Sequence, residues 1–95
     1  MITLICDDIV EKDKMEEVKS YYRDLVEYTR KQPGCISYDV YQDAERENAL
    51  VFVEKWSDQR YLDDHLNDPI YIEMFGKIEK HLVEDETLRK FREFV

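Results

Sequence analysis

Apolar and polar residues alternate along three stretches of the chain, which is the pattern of β-strands whose two faces meet different surroundings. The stretches cover residues 2–10, 35–41 and 50–56. In the first, one face carries Leu4, Cys6, Asp8 and Val10, and the other carries Thr3, Ile5, Asp7 and Ile9. In the second stretch, one face carries Ile36, Tyr38 and Val40. In the third stretch, one face carries Leu50, Phe52, Glu54 and Trp56. These stretches predict three strands of one sheet.

The longest helical pattern lies between the first two strands. Asp13 followed by Glu16 has the spacing of a capping box, and Pro33 with Gly34 ends the pattern. Apolar positions recur every three or four residues, as on one face of an amphipathic helix. This face comprises Met15, Val18, Tyr22, Leu25, Val26 and Thr29.

Two shorter helices are predicted after the third strand. Ser57 or Asp58 can cap the first, and Asp68 can cap the second, which has Pro69 at its first position. The apolar face of the first helix carries Tyr61, Leu62, His65 and Leu66. That of the second helix carries Ile70, Tyr71, Met74, Phe75, Ile78 and Leu82. We therefore predict that His65 faces inward, close to the strand of Glu54.

The C-terminal stretch fits two patterns. Leu88, Phe91 and Phe94 are spaced by three, as in a helix, whereas Thr87, Arg89, Phe91, Glu93 and Val95 alternate, as in a strand. The preceding order βαββα lacks one strand of a ferredoxin-like βαββαβ unit, so we predict a fourth strand from about Thr87. The predicted fold is α+β, with a four-stranded antiparallel sheet that has helices on one face.

The other face of this sheet carries apolar residues that need a cover. Ile5, Ile9, Val51 and Val53 all lie on it, and an apolar sheet face is not stable when it is left in water. We therefore expect a homodimer.

Length and charge limit the class of protein. The chain has 95 residues, enough for a single domain over residues 1–95, and a net charge of −9. Nucleic acid and anionic membrane surfaces need a basic footprint, so neither is an expected partner. The N-terminus lacks a basic region, and no apolar run reaches the length of a membrane span. We expect a cytoplasmic protein whose partners are small molecules or its own second copy.

Cys6 and Cys35 have neither a metal-binding nor a redox-pair spacing, and we predict that both are reduced and inert. The chain has only two glycines and no nucleotide-binding glycine motif. Neither pattern therefore indicates a metal site or a nucleotide-bound cofactor.

Four aromatic residues and one methionine have the composition of a small apolar ligand site between the sheet and the helices. They are Trp56, Tyr38, Tyr71, Met74 and Phe75. The alternative is that they form only core. Asp7, near the middle of the first strand, can close the floor of such a pocket or face a dimer interface. Glu54 can orient His65, face the pocket, or tie its strand to a helix.

The motif E-x-W, followed nine residues after the Trp by His65, then by N-D-P and an aromatic residue, resembles the antibiotic biosynthesis monooxygenase (ABM) family. The upstream segment P-G-C-I-S-Y is similar to the G-C-x-x-Y strand opening of that family. The resemblance implies a dimeric α+β barrel in which the last strand reaches over the partner.

The resemblance also implies an activity, a quinol monooxygenase that needs no cofactor. An electron-rich dihydroxyarene or quinol can pass electrons to oxygen once it is deprotonated, so the protein supplies only a dry pocket and a base or hydrogen-bond donors. His65 matches the family's His and is the implied base or donor, and its pKa is expected to lie near neutrality. Its alternative role is structural, bonded to Glu54 or to a backbone carbonyl.

The chain differs from two groups of related proteins at positions that affect the expected mechanism. Many relatives carry a second His directly after the Pro of the second short helix, where this chain has Ile70. The haem-degrading branch relies on Asn, Trp and His at positions that hold Asp7, His65 and Phe75 here. A two-histidine mechanism and haem degradation are therefore not expected.

The sequence leaves two further functions open. The missing second His favours a non-catalytic dimeric barrel that binds a small apolar metabolite. Some ABM-like proteins are isomerases of phosphorylated, sugar-like compounds. That function needs converging basic side chains, of which only Lys55 and Arg60 lie nearby in the sequence.

Overall fold

The computed structural model describes all 95 residues. In chain order the elements are β1 (Ile2–Ile9), a 3₁₀ turn (Lys12–Lys14), α1 (Met15–Arg30), β2 (Cys35–Gln42), β3 (Ala49–Trp56), α2 (Gln59–Leu66), α3 (Pro69–Glu79) and β4 (Thr87–Arg92). The strands form one antiparallel sheet in the order β2-β3-β1-β4. This is the predicted ferredoxin-like α+β fold, and the fourth strand is confirmed.

All three helices lie on one face of the sheet. Tyr22 of α1 contacts Asp8 of β1, and His65 of α2 packs on Trp56 of β3. The core between the layers is dominated by the buried aromatic residues Trp56, Tyr38 and Phe52. The opposite face has no helix over it. None of the helices combines the length and the apolar character needed to cross a bilayer.

The predicted starts of α2 and α3 are correct. Asp58 accepts hydrogen bonds from the backbone N–H groups of Arg60 and Tyr61, and Asp68 accepts one from that of Ile70. These two caps fix where each helix begins, and therefore which side chains turn toward the sheet.

The capping box predicted at Asp13 is wrong. No side chain caps the start of α1, which begins at Met15 after the 3₁₀ turn. The turn is held by backbone hydrogen bonds instead: Lys14 N–H donates to the Glu11 carbonyl, and Glu11 N–H donates to the His81 carbonyl, each at 2.9 Å. The 3₁₀ turn therefore leads directly into α1, and the expected capping box does not form.

A β-bulge changes the predicted faces at the start of β2. Cys35 pairs with Trp56 while Ser37 pairs with the adjacent Lys55, so Ile36 is an extra residue in the ladder. As a result Ile36 is exposed rather than on the face of Tyr38, and Cys35 packs against the core. Ile70 also departs from the prediction, since it is exposed in the first turn of α3.

Candidate functional site

His65 lies at the centre of an aromatic cluster between the sheet and the helices. The Asp58 cap sets the phase of α2 so that Leu62 and His65 are its buried residues. The imidazole is only 1% exposed. Its ring centroid lies 4.2 Å from that of Tyr71, 4.8 Å from that of Trp56 and 5.5 Å from that of Tyr38. Strands β2 and β3 and helix α3 each contribute one of these rings.

The two nitrogen atoms of His65 differ sharply in their surroundings. Nδ1 lies 2.7 Å from the side-chain oxygen of Gln32, just beyond α1. Nε2 is buried and has no hydrogen-bond partner in the protein. Neither Glu54 nor a backbone carbonyl bonds the ring, so both predicted structural partners are wrong.

Burial lowers the pKa of His65 from its usual 6.5 to about 4, because the charged ring loses its hydration. The expected pKa near neutrality is therefore wrong. At neutral pH the ring is uncharged, and Nε2 serves as a hydrogen-bond acceptor when Nδ1 carries the proton.

Glu54 is buried on β3 and bonded within the sheet. Its Oε1 accepts a hydrogen bond from the indole Nε1–H of Trp56 at 3.0 Å, and its Oε2 accepts one from the Cys6 thiol at 3.7 Å. Burial raises the pKa of Glu54 to about 7, against the lowering effect of these two hydrogen bonds. Glu54 therefore does not orient His65, but it is poised to exchange a proton near neutral pH.

Further carboxyl groups lie on the same side of the sheet. The Tyr22 hydroxyl donates to Asp8 Oδ2 at 2.6 Å, whereas Asp8 Oδ1 is buried and has no hydrogen-bond partner in the protein. Burial raises the pKa of Asp8 and that of Glu86, just before β4, and the neighbouring Asp8 raises the latter further.

The structure brings most of the predicted ligand-binding residues together. Tyr38, Trp56 and Tyr71 surround His65, and the Phe75 ring stacks on that of Tyr71 with centroids 5.9 Å apart. Met74 packs half-buried against the core. Together they form one apolar cluster on the helix side of the sheet.

Asp7 does not belong to this cluster. It is exposed on the opposite face of the sheet, where the Thr87 hydroxyl bonds it at 3.4 Å. The interior carboxyl of β1 is Asp8. The alternation in β1 could have indicated Asp8, since it groups Asp8 with Leu4 and Cys6. No sequence signal indicated Gln32 or Glu86, because their neighbours come from distant elements.

Neither cysteine has the properties of a reactive thiol. Both are free, Cys6 buried and Cys35 half-buried. Burial raises the pKa of Cys6 well above its ordinary value and that of Cys35 to about 11. Both thiols therefore stay protonated and weakly nucleophilic at neutral pH.

A large groove lies elsewhere on the molecule. It encloses about 770 Å³ between α1 and β2 and is open to solvent. Charged side chains of both signs line it, and neither His65 nor Glu54 does. A large open groove of mixed charge lacks the converging groups of a catalytic site, so we place the candidate site at the aromatic cluster.

The basic residues considered for a phosphorylated ligand are not in the cluster. Lys55 is exposed and pairs with Thr3 and Ser37 on the face without helices. Arg60 is exposed, with its guanidinium 4.8 Å from the centroid of the Tyr61 ring. The geometry thus gives the isomerase hypothesis no phosphate-binding residues.

Comparisons with known proteins agree with this architecture. A family model described as antibiotic biosynthesis monooxygenase (ABM) matches residues 1–77. A crystal structure of an antibiotic biosynthesis monooxygenase superimposes with a TM-score of 0.95 at 29% identity and covers 100% of both chains.

Two relatives are similar in sequence. "Putative monooxygenase YcnE" of Bacillus subtilis (strain 168) is 31% identical over 83 residues, which are 87% of this chain and 86% of that protein. "Uncharacterized protein sll1783" of Synechocystis sp. is 37% identical over 68 residues, 72% of this chain and 46% of that protein. The match thus spans about half the length of the Synechocystis protein. Given the family match over residues 1–77 and the shared fold, the chain belongs to the antibiotic biosynthesis monooxygenase family.

Proposed function

We propose that this protein is a monooxygenase that needs no cofactor and acts on a quinol or polyphenol-like small molecule. Family membership and the relative from B. subtilis support oxygenase chemistry. The observation that carries the proposal is His65 Nε2, a buried acceptor without a protein partner inside an aromatic cluster. Buried polar atoms are nearly always hydrogen-bonded, so this atom offers a binding point for the hydroxyl group of an aromatic ligand.

The proposed reaction balances without a further reductant. A quinol and O₂ give a hydroxyquinone and water: one oxygen atom forms a new carbon–oxygen bond on the ring, and the other leaves as water. The four electrons that reduce O₂ come from the ring. The step that the protein assists is removal of a hydroxyl proton, which makes the ring a better electron donor.

Glu54 is the better proton acceptor of the two candidate residues. The difference between a pKa of about 7 for Glu54 and about 4 for His65 corresponds to roughly 4 kcal/mol in proton affinity. We therefore assign His65 to accepting the hydrogen bond of one quinol hydroxyl group and Glu54 to taking up the proton of the other. The rings of Trp56, Tyr38 and Tyr71 exclude water from the site.

The proposal includes a homodimer built on the sheet face without helices. Ile5 pairs with Val53 there, Asp7 pairs with Val51, and Phe91 of β4 is 42% exposed. A charge on this face disfavours its burial against a second copy. Val53→Glu is expected to shift sedimentation equilibrium toward monomer, whereas Val83→Glu, in the exposed segment before β4, is expected to leave it unchanged. A wild-type protein that is monomeric at all concentrations contradicts the homodimer.

The activity is tested by oxygen uptake with a panel of quinols and dihydroxynaphthalenes. We expect uptake above autoxidation for the wild type and for the control Asp64→Asn, which changes an exposed residue next to His65. His65→Ala and Glu54→Gln are expected to lower the rate by about 100-fold or more. If the wild type matches the buffer blank with every compound, the oxygenase proposal fails. Saturable ligand binding under those conditions then supports the non-catalytic function.

A further inference from the structure

A chain of hydrogen bonds leads from His65 to the start of α3. Gln32 lies between His65 and Asp68: its Oε1 is 2.7 Å from His65 Nδ1, and its Nε2 donates to Asp68 Oδ2 at 2.7 Å. The Tyr28 hydroxyl also donates to Asp68 Oδ2. Asp68 Oδ1 is occupied as well, since it accepts the Ile70 backbone N–H at 3.0 Å. Both carboxylate oxygens of Asp68 are thus acceptors.

This arrangement fixes which nitrogen of His65 carries the proton. A carboxylate cannot donate, so Gln32 must present its NH₂ group to Asp68 and its carbonyl oxygen to His65. Nδ1 must then carry the hydrogen, and the neutral ring has its lone pair on Nε2. The Asp68 carboxylate therefore sets the donor and acceptor direction of these hydrogen bonds. The side-chain amide of Gln32 transmits that direction to His65.

From this geometry we infer that Gln32 and Asp68 are positioning residues that hold His65 as the Nδ1–H tautomer, and so make the site select a hydroxyl-bearing ring over its oxidised carbonyl form. This specificity rests on the proposed function. A quinol hydroxyl can donate to Nε2, whereas a quinone carbonyl cannot and leaves that buried atom unpaired. We expect the quinol form to bind about 5- to 100-fold more tightly than the matching quinone.

Asp68→Asn offers a test that leaves the side-chain shape almost unchanged. The asparagine oxygen can still cap the Ile70 N–H, and its NH₂ group then faces Gln32. Gln32 must turn its oxygen toward that NH₂ group and its own NH₂ group toward His65. The expected result is a reversed chain in which Nδ1 accepts and Nε2 carries the hydrogen.

The first readout is the tautomer itself, measured by ¹⁵N NMR of the imidazole at about pH 8, where the ring is neutral. We expect Nδ1–H in the wild type and in Asp64→Asn, and Nε2–H in Asp68→Asn. Gln32→Leu breaks the chain without reversing it and is expected to give a mixture of tautomers. A wild-type Nε2–H tautomer, or no change in both Asp68→Asn and Gln32→Leu, overturns the inference.

The second readout is ligand preference, measured by quenching of Trp56, the only tryptophan in the chain. A naphthol and the matching naphthoquinone serve as probes that report binding without turnover. The wild type is expected to prefer the naphthol, and Asp68→Asn the quinone. An unchanged preference despite a switched tautomer overturns the specificity. A switched tautomer and preference without oxygen uptake by the wild type support the inference and contradict only the proposed catalysis.

Discussion

The indole Nε1–H of Trp56 donates to the carboxylate of Glu54 at 3.0 Å, although only one residue separates the two along β3. The same indole packs against the imidazole of His65 with ring centroids 4.8 Å apart. Trp56 therefore connects the carboxyl group whose pKa is raised to about 7 with the unpartnered histidine.

This contact predicts the response of Glu54 to loss of the indole N–H. A hydrogen bond to the ionised form lowers a carboxyl pKa, and Trp56 is the largest such influence on Glu54. Trp56→Phe is therefore expected to raise the pKa of Glu54 further, as followed by ¹³C NMR of glutamate side chains. Phe52→Leu, which changes a neighbouring core ring on the same strand face, serves as a control. A lowered pKa in Trp56→Phe contradicts the assigned role of the indole.

The same pKa predicts how the rate depends on pH. If Glu54 accepts the substrate proton, kcat/KM rises through about pH 7 as the carboxyl ionises. If His65 were the base, the rise would lie near its pKa of about 4 instead. Glu54→Gln is expected to remove the inflection near pH 7 from the pH profile of kcat/KM. The control Glu27→Gln, which changes an exposed residue of α1, is expected to retain it. An unchanged inflection in Glu54→Gln excludes Glu54 as its origin.

The buried carboxyl also makes stability depend on pH. Its pKa is about 7 in the folded protein, above the ordinary value of 4.5, so the folded state binds the proton more tightly. Stability is therefore lost as the pH rises from about 4.5 through about 7, by roughly 3 kcal/mol in total. His65 acts in the opposite direction, because its lowered pKa reduces stability as the pH falls from 6.5 toward about 4.

Glu54→Gln isolates the contribution of the carboxyl. Comparing the variant with the wild type at about pH 5 and about pH 8, by urea unfolding, cancels the His65 effect that both proteins share. Between about pH 5 and about pH 8, we expect the free energy of unfolding of the variant to increase by roughly 2–3 kcal/mol relative to that of the wild type. If the variant and the wild type differ in free energy of unfolding by the same amount at both pH values, Glu54 is not desolvated in the folded protein.

Gly34 is predicted to tolerate no side chain. It has a φ of +78°, and an added Cβ would lie 2.2–2.5 Å from atoms of the Tyr61 side chain. Gly34→Ala is therefore expected to destabilise the protein by about 1–3 kcal/mol. Gly76, inside α3, is the matched control, since an added Cβ meets nothing within 4 Å. Gly76→Ala is expected to stabilise by about 0.5–1 kcal/mol, and similar thermal shifts for both variants contradict this account.

Much of the fold follows from residue patterns alone. Alternation and helical periodicity correctly predicted the strands and the inward direction of His65. Residue types correctly predicted the cap at Asp68 and, with Ser57 as the alternative, the cap at Asp58. The missing strand of the βαββαβ unit decided the ambiguous tail at Thr87. These features depend on short-range geometry, which local sequence determines.

Most of the errors concern features that depend on packing between distant elements, whereas the capping box at Asp13 is a local motif that a 3₁₀ turn replaces. A bulge exposed Ile36, because register is a property of two strands rather than one. Asp7 was the wrong residue for the pocket: alternation in β1 already grouped Asp8 with Leu4 and Cys6, and the docking of α1 on that face buries Asp8. The pKa values of Glu54 and His65 moved in opposite directions from their ordinary values because both groups are desolvated. No local pattern reveals the link between Gln32 and His65, which are 33 residues apart.

The most direct test of the central claim is incorporation of ¹⁸O₂ into the product of a quinol that supports oxygen uptake. We expect a hydroxyquinone that carries one ¹⁸O atom, with the second ¹⁸O atom found in water, and product formation that depends on His65 and Glu54. A quinone without ¹⁸O, formed at equal rates by the wild type and by His65→Ala, would contradict it.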